Sequence, residues 1–135
     1  MRNLTVISDA EKMIRTHTPD FSINNIPDDD ASAFELIATG KTVGIFQLES
    51  TGMTSVCTQL RPKSIEDITA VIALYRPGPM DSIPKFIECK HNPDKVSYKH
   101  PMLESILDVT YGCIVYQEQV MEVFRKLAGF FTWQS

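Results

Sequence analysis

A run of apolar residues at helical spacing, closed by Pro-Gly-Pro, constrains the fold of this chain more than any other stretch. Residues 65–80 read "IEDITAVIALYRPGPM", and apolar side chains recur there every three or four positions. Ser64 before the run is a favoured helix N-cap, and the two carboxylates that follow suit the positive end of a helix dipole. Because Pro77 disfavours helical geometry at the residue before it, the pattern predicts a helix from Ser64 to Tyr75.

The remaining pattern predicts a mainly α-helical protein with a few short extended segments, an α+β class. Helical stripes and caps predict further helices at residues 3–16, 31–39, 50–60, 82–87, 102–109 and 117–128. Two other segments lack a helical stripe and carry β-branched or aromatic residues, "TVGIFQLES" at 42–50 and "GCIVY" at 112–116. Each is predicted to be a short strand or an extended, partly buried piece.

The composition favours a cytoplasmic protein. Thirteen Lys and Arg residues against 17 Asp and Glu residues leave a net charge of −4, and the three cysteines show no paired spacing. We therefore expect reduced, structural thiols rather than a disulfide framework. Strong DNA binders usually carry a basic footprint, which this chain lacks; only its second half is balanced in charge. No stretch is long and apolar enough to span a bilayer, and the first residues are too polar for a signal peptide.

Two groups of residues suggest a metal site, and both have a simpler interpretation. Asp28 and Asp30 form a D-x-D pair, but the three successive aspartates at 28–30 stand where a helix is predicted to start, and no further carboxylate ligand is indicated. Cys89, His91 and His100 lack the paired spacing of a structural zinc site, which needs four ligands. We therefore predict that this chain holds no metal.

Arg76 has two interpretations. At the end of the predicted helix it complements the negative end of the dipole or pairs with Glu66 or Asp81, a gain of about 0.3–1 kcal/mol. Alternatively, a guanidinium held by the stiff turn at residues 77–79 forks onto a phosphate with little ordering cost. Spacing alone favours the first interpretation.

The start of the last predicted helix carries further candidates. Gln117 and Gln119 place two carboxamides beside the free amides of its first turn, and Tyr116 precedes them. Such groups can hydrogen-bond a base or a phosphate, and a tyrosine can stack on a base. A solvated first turn and a buried tyrosine explain the same residues.

Four stretches are similar to a known family. These are "KTVGIFQLESTGM" (41–53), "IEDITAVIALYRPGPMDSIPKFIECKH" (65–91), "HPMLESIL" (100–107) and "TYGCIVYQEQVMEVFRKLAG" (110–129). They resemble the bacterial replicative DNA polymerases of family C, the DnaE-type α subunits of DNA polymerase III, in the family's order and spacing. "YRPGPM" together with "VYQEQVM" is far more specific than a lone glycine motif.

The resemblance implies a fragment of such a polymerase, with a helical palm-to-fingers connection at residues 1–40 and an incomplete fingers segment at 41–135. It implies that six residues line the nucleotide or template side of the cleft: Arg76, Lys41, Gln47, Tyr116, Gln117 and Gln119. The parent would be a DNA-directed DNA polymerase, a nucleotidyltransferase, whose Mg²⁺ is held by palm carboxylates upstream of this chain. The fragment itself is then expected to bind no metal and to be inactive alone.

The partners expected from the resemblance are primer-template DNA, an incoming dNTP and the remaining palm, thumb and fingers. The sliding clamp and other holoenzyme subunits would bind through regions not present, and no membrane is involved. The alternative is a non-catalytic helical module, a truncated gene product, that binds DNA or protein. A third interpretation is a non-functional remnant of such a gene, in which the same residues have only a structural role.

Overall fold

The computed structural model describes residues 2–129, and the chain divides into two compact units, Met1–Asp30 and Ala31–Ser135. In the first unit, helix α1 covers Arg2–Arg15 and is followed by a 3-10 turn at Ile23–Asn25. Glu11 holds the returning chain: its carboxylate accepts from Arg15 at 2.8 Å and from the Ile23 amide at 3.3 Å. α1 is the predicted amphipathic helix, yet none of its residues is buried.

The second unit is built from helices. These are α2 (Ala31–Ala38), α3 (Thr51–Leu60), α4 (Ile65–Leu74), α5 (Ile83–His91), α6 (Glu104–Leu107) and α7 (Gln117–Ala128), with 3-10 turns between several of them. Serine caps start two of the helices, because Ser50 Oγ accepts from the Met53 amide and Ser64 Oγ from the Asp67 amide, each at 3.3 Å. The helical part of the fold-class prediction is therefore confirmed.

The two predicted extended segments are wrong, since residues 2–129 contain no strand. Residues 42–50 instead form consecutive turns: the Ile45 amide donates to Thr42 and the Leu48 amide to Ile45. Gly44 and Gln47 take positive φ values of 80° and 66°, which an extended strand does not allow. Without a neighbouring strand, the amides of such a segment must find partners within turns.

The segment 112–116 is irregular for a related reason. Gly112 has a φ of 78°, and its amide donates to the Leu107 carbonyl at 2.8 Å. The Val115 and Tyr116 amides donate to the side chain of Gln119, at 2.9 and 3.0 Å. A side chain thus takes the place that a partner strand would have had.

Most of the core lies between α3, α4 and α5. Leu60, Val71, Leu74 and Phe86 are each no more than 1% exposed and belong to one cluster with Cys57. A smaller cluster of Leu103, Ile106 and Leu107 lies on α6 and the turn before it, with Tyr98 and Val123 against it. All three cysteines are buried and free, as the sequence predicts.

A buried ion pair fastens the same three helices at one edge. The Asp67 carboxylate of α4 receives the Lys90 ammonium of α5 at 2.5 Å, and both side chains are less than 10% exposed, at 6% and 8%. The same carboxylate accepts from the Lys63 amide at 2.9 Å and from the Tyr111 hydroxyl at 3.3 Å. Lys90 also donates to the Arg61 carbonyl, just beyond α3, at 3.2 Å. A buried charge requires such a full set of partners.

Replacing Lys90 by Met should destabilise the protein by about 3 kcal/mol, because Asp67 would keep a buried charge without its cation. Lys95→Met is the matched control. Lys95 pairs with Glu88 while the two side chains are 58% and 51% exposed, so its loss should cost less than about 1 kcal/mol. Urea unfolding of both variants measures the difference. Equal losses would mean that the buried pair contributes no more than a surface pair.

The Tyr111 hydroxyl should make stability fall at high pH. Burial, together with the neighbouring Asp67 carboxylate, raises the pKa of Tyr111 from 10.0 to about 12. The folded state therefore holds the phenolic proton more tightly, which stabilises it fully below pH 10 and is lost as pH rises to about 12.

Unfolding free energies of wild type and Tyr111→Phe, measured by urea between pH 8 and pH 12, test this prediction. The Phe ring keeps the edge contact with Phe86, whose centroid lies 5.3 Å away, so the comparison isolates the hydroxyl. Wild type should lose stability more steeply than the variant above pH 10. Parallel curves would contradict the assignment.

Candidate functional site

The predicted arginine lies on a turn that is fixed at both sides. The Arg76 amide donates to the Leu74 carbonyl at 2.8 Å, and its carbonyl accepts from the Met80 amide at 3.1 Å. Gly78, between two prolines, takes a φ of 99° that suits only glycine. The Arg76 side chain is exposed and has no hydrogen bond or ion pair with any residue of 2–129. Glu66 and Asp81, the partners considered from the sequence, do not pair with it.

The turn is seated on the start of α3 through Tyr75. A Cβ on Gly52, in the first turn of α3, would overlap the Tyr75 hydroxyl oxygen and lie 3.0 Å from the ring carbon Cζ. Glycine is therefore needed at position 52 for close approach and not for an unusual backbone angle. The "STGM" and "YRPGPM" motifs, more than 20 residues apart, meet at this contact.

Lys41 and Gln47 belong to a loop that is tied to the same end of α3. The buried Thr42 hydroxyl lies 2.7 Å from that of Thr54, which also donates to the Leu48 carbonyl at 3.3 Å. Lys41 and Gln47 are both exposed, and neither side chain has a partner among the described residues. Gln47 holds a φ of 66° although it is not glycine, a conformation that costs of order 1 kcal/mol.

Gln119 is part of the interior. It is 7% exposed, and its side chain makes four hydrogen bonds, accepting from the Val115 and Tyr116 amides and donating to the Ile106 carbonyl and the Thr110 hydroxyl. The donated bonds measure 3.1 and 2.8 Å. With both ends of the carboxamide engaged, Gln119 joins α6 to the start of α7.

Tyr116 and Gln117 stand at the start of α7, where Tyr116 packs against the main core. Burial raises the pKa of the Tyr116 phenol, and the carboxylates of Glu66 and Asp67 raise it further. Gln117 is exposed and its side chain has no partner within residues 2–129. The loop that carries Lys41 and Gln47 contacts α3 at Thr54, and the arginine turn contacts it at Gly52 through Tyr75.

The described residues do not fit a bound Mg²⁺. Within residues 2–129, no three His, Cys, Asp or Glu side chains converge as ligands. Asp67, the one buried carboxylate of that range, is already occupied by Lys90 and two hydrogen-bond donors. Nor is any helix of the described chain long and apolar enough to cross a membrane.

Comparison with known proteins decides the family. Residues 3–135 match the family model described as "Bacterial DNA polymerase III alpha subunit finger domain". The chain belongs to this finger-domain family.

Relatives named DNA polymerase III subunit alpha share close to half of its residues. That of Borreliella burgdorferi is 48% identical over 130 residues, and that of Caulobacter vibrioides is also 48% identical over 130 residues. That of Staphylococcus epidermidis is 49% identical over 134 residues. Each alignment covers 96% of this chain but only 11% or 12% of the relative. The chain thus spans about a tenth of the relatives' length.

The contact between Gly52 and Tyr75 should reverse the usual effect of a glycine-to-alanine substitution on the stability of this finger domain. An added methyl inside an exposed helix normally stabilises by about 0.5–1 kcal/mol relative to glycine. Gly52→Ala should instead destabilise, because the methyl meets the Tyr75 ring. In a Tyr75→Ala background the same substitution should regain its stabilising sign. Urea unfolding of the four proteins forms a double-mutant cycle. A stabilising Gly52→Ala in the presence of Tyr75 would refute the contact.

Proposed function

We propose that this chain is the part of a replicative DNA-directed DNA polymerase that positions incoming nucleotide and template for phosphodiester formation at the primer 3′ end. The observation that carries the proposal is the exposed Arg76 guanidinium, without a partner in residues 2–129 and held on a fixed turn. Membership of the finger-domain family gives this arginine its context.

The electrostatic case combines the free guanidinium of Arg76 with the fixed turn that carries it, since Arg2 and Arg61 also lack a side-chain partner in residues 2–129. Arg15 and Arg125 each pair with a carboxylate on their own helix, Glu11 and Glu122, at 2.8 Å. Arg76 pairs with none in residues 2–129, although Asp81 lies only five residues further along the chain. An unpaired guanidinium on a stiff backbone loses little freedom when it forks onto a phosphate, and planar forked binding is what arginine does best.

The other assigned residues take supporting roles in this proposal. Lys41 and Gln47 flank the same end of α3 and would extend the polar surface beside Arg76. Tyr116 and Gln117, at the start of α7, would face the template or its base. Gln119 holds the start of α7 in place through its four hydrogen bonds, and so it acts through Tyr116 and Gln117 without touching nucleotide.

The chain would contribute binding and orientation to the reaction. Holding triphosphate and template base in line with the primer lowers the barrier by positioning and by electrostatic stabilisation. The acidic groups that such chemistry requires would come from the remaining palm, and the isolated 135 residues would not synthesise DNA. Its partners would be primer-template DNA, dNTP and the other polymerase regions, in the bacterial cytoplasm.

A second candidate function, protein binding by a helical module, is favoured by one face of α7. Four apolar side chains stand exposed there, Val120, Met121, Phe124 and Leu127, at 38% to 58%. Exposed apolar patches often mark contacts with another protein surface. Within the proposed polymerase, this face would pack against other regions of the same enzyme.

In the full-length polymerase, Arg76→Ala should lower the efficiency of single-nucleotide incorporation at least tenfold, since one charge-assisted contact is worth about 1.5–3 kcal/mol. Arg125→Ala is the matched control, because it removes an exposed arginine that is already paired on α7. Single-turnover kinetics over a range of dNTP concentrations measure both variants. A melting temperature equal to that of wild type excludes unfolding.

Arg76→Lys separates charge from shape. A lysine keeps the charge but not the planar fork, so it should recover only part of the lost efficiency. If Arg76→Ala incorporates nucleotide as wild type does, the proposed role of this turn is wrong. If Arg76→Ala instead lowers only the melting temperature, the role of Arg76 is to stabilise the C-terminal end of α4.

A further inference from the structure

A cavity of about 320 Å³ lies in the second unit, where the start of α5 meets the loop at 97–99 and residues 112–114. Its size is at the lower end of the range for ligand pockets, about 300–1,000 Å³. None of the six residues assigned to the nucleotide or template surface lines it. What it holds is therefore a separate question from the role of Arg76.

The polar side chains around the cavity are all donors, and they lack partners. Two are lysines, Lys85 and Lys99, and three carry hydroxyls, Ser82, Ser97 and Tyr98. None of these five side chains has a hydrogen bond or an ion pair with another described residue. Ser82, although it precedes α5, does not cap that helix with its hydroxyl.

The charge of the cavity runs against that of the whole chain. No carboxylate of the described residues lines it, whereas the chain carries a net charge of −4. Lys85 also borders a second, more open cavity beside Asp81 and Glu88, but it pairs with neither. Two lysines that line one cavity without an ion-pair partner suit an anion with several acceptor oxygens, such as a phosphate.

Tyr98 lines the cavity with its phenol in the protonated form. Burial raises the pKa of its phenol, and the carboxylates of Glu104 and Asp108 raise it further. The hydroxyl thus stays a hydrogen-bond donor that lines the cavity.

The floor of the cavity is apolar. Leu103, Leu107 and Cys113 line it and are buried, at 8%, 3% and 5% exposure. Gly112 lets the loop at 97–99 approach closely, because a Cβ there would lie 3.2 Å from the Ser97 carbonyl oxygen. An apolar floor beside two cations suits a ligand that joins a phosphate to a flat, weakly polar group.

We propose that this cavity binds one nucleotide unit, with its phosphate between Lys85 and Lys99 and its sugar and base on the floor of Leu103, Leu107 and Cys113. A free nucleoside monophosphate and a nucleotide within single-stranded DNA offer the same chemistry. The cavity is a second contact point for nucleotide, separate from the arginine turn.

Titration of deoxyadenosine monophosphate with the 135-residue chain, followed by phosphorus NMR, tests the proposal. Lys85→Gln and Lys99→Gln should each weaken binding about tenfold or more, because each removes a charged hydrogen-bond donor. Lys63→Gln is the matched control, since only the backbone of Lys63 takes part in a described contact. A phosphorus signal that does not move at millimolar monophosphate overturns the proposal. So does an affinity for monophosphate in Lys85→Gln and Lys99→Gln that equals that of the control Lys63→Gln.

Two more probes define the ligand. Deoxyadenosine without phosphate should bind at least about tenfold more weakly, and equal binding would refute the phosphate assignment. A short single-stranded oligodeoxyadenylate without terminal phosphates shows whether the bound nucleotide is free or part of single-stranded DNA. Competition by the oligomer supports a nucleotide within DNA, and binding of the monophosphate alone supports a free nucleotide.

Alkylation of Cys113 locates the site. Bound monophosphate should slow its reaction with a neutral maleimide relative to that of Cys57, which belongs to the same core cluster but does not line the cavity. Peptide masses report the two rates in one sample. An unchanged ratio overturns the location. Because Arg76→Ala leaves both lysines in place, failure here and failure of the arginine turn are distinguishable.

Discussion

The buried pair of Asp67 and Lys90 is the interaction on which the arrangement of the second unit depends. Its members are 23 residues apart and lie on different helices, and their partners add the end of α3 and Tyr111. An ion pair of this kind gives little net stability, because both charges lose their hydration. Its effect is on geometry: α4 can pack against α5 in only one register without leaving a charge unpaired.

The helices were predictable from the sequence because their ends carry local signals. Ser50 and Ser64 cap the helices that follow them, and Gly129, with a φ of 68°, ends α7 where the sequence placed its end. Such signals depend on a few neighbouring residues and survive any tertiary context. The same local reasoning fails for residues 42–50 and 112–116, where β-branched residues suggest strands but the described chain offers no second strand to receive the amides.

The candidate site could be predicted only in part, because side-chain partners are not encoded locally. Asp67 looks like an ordinary first-turn carboxylate, and no neighbouring residue indicates that it pairs with a lysine 23 positions away. Gln119 looks solvated at a helix start, yet it fills the gap left by two unpaired amides. Gly52 left one signal, a glycine inside a helix with no need for unusual backbone angles, which often marks close approach by another group.

The rigid placement of α4 has a mechanical consequence. One end of this helix is held by the buried pair, and the arginine turn extends from the other end, so α4 acts as a lever about 15 Å long. A rotation of only about 4° at the Asp67 end displaces the Arg76 backbone by about 1 Å. A displacement of that size is enough to spoil a phosphate contact. Residues remote from the proposed contact would then position Arg76 for it.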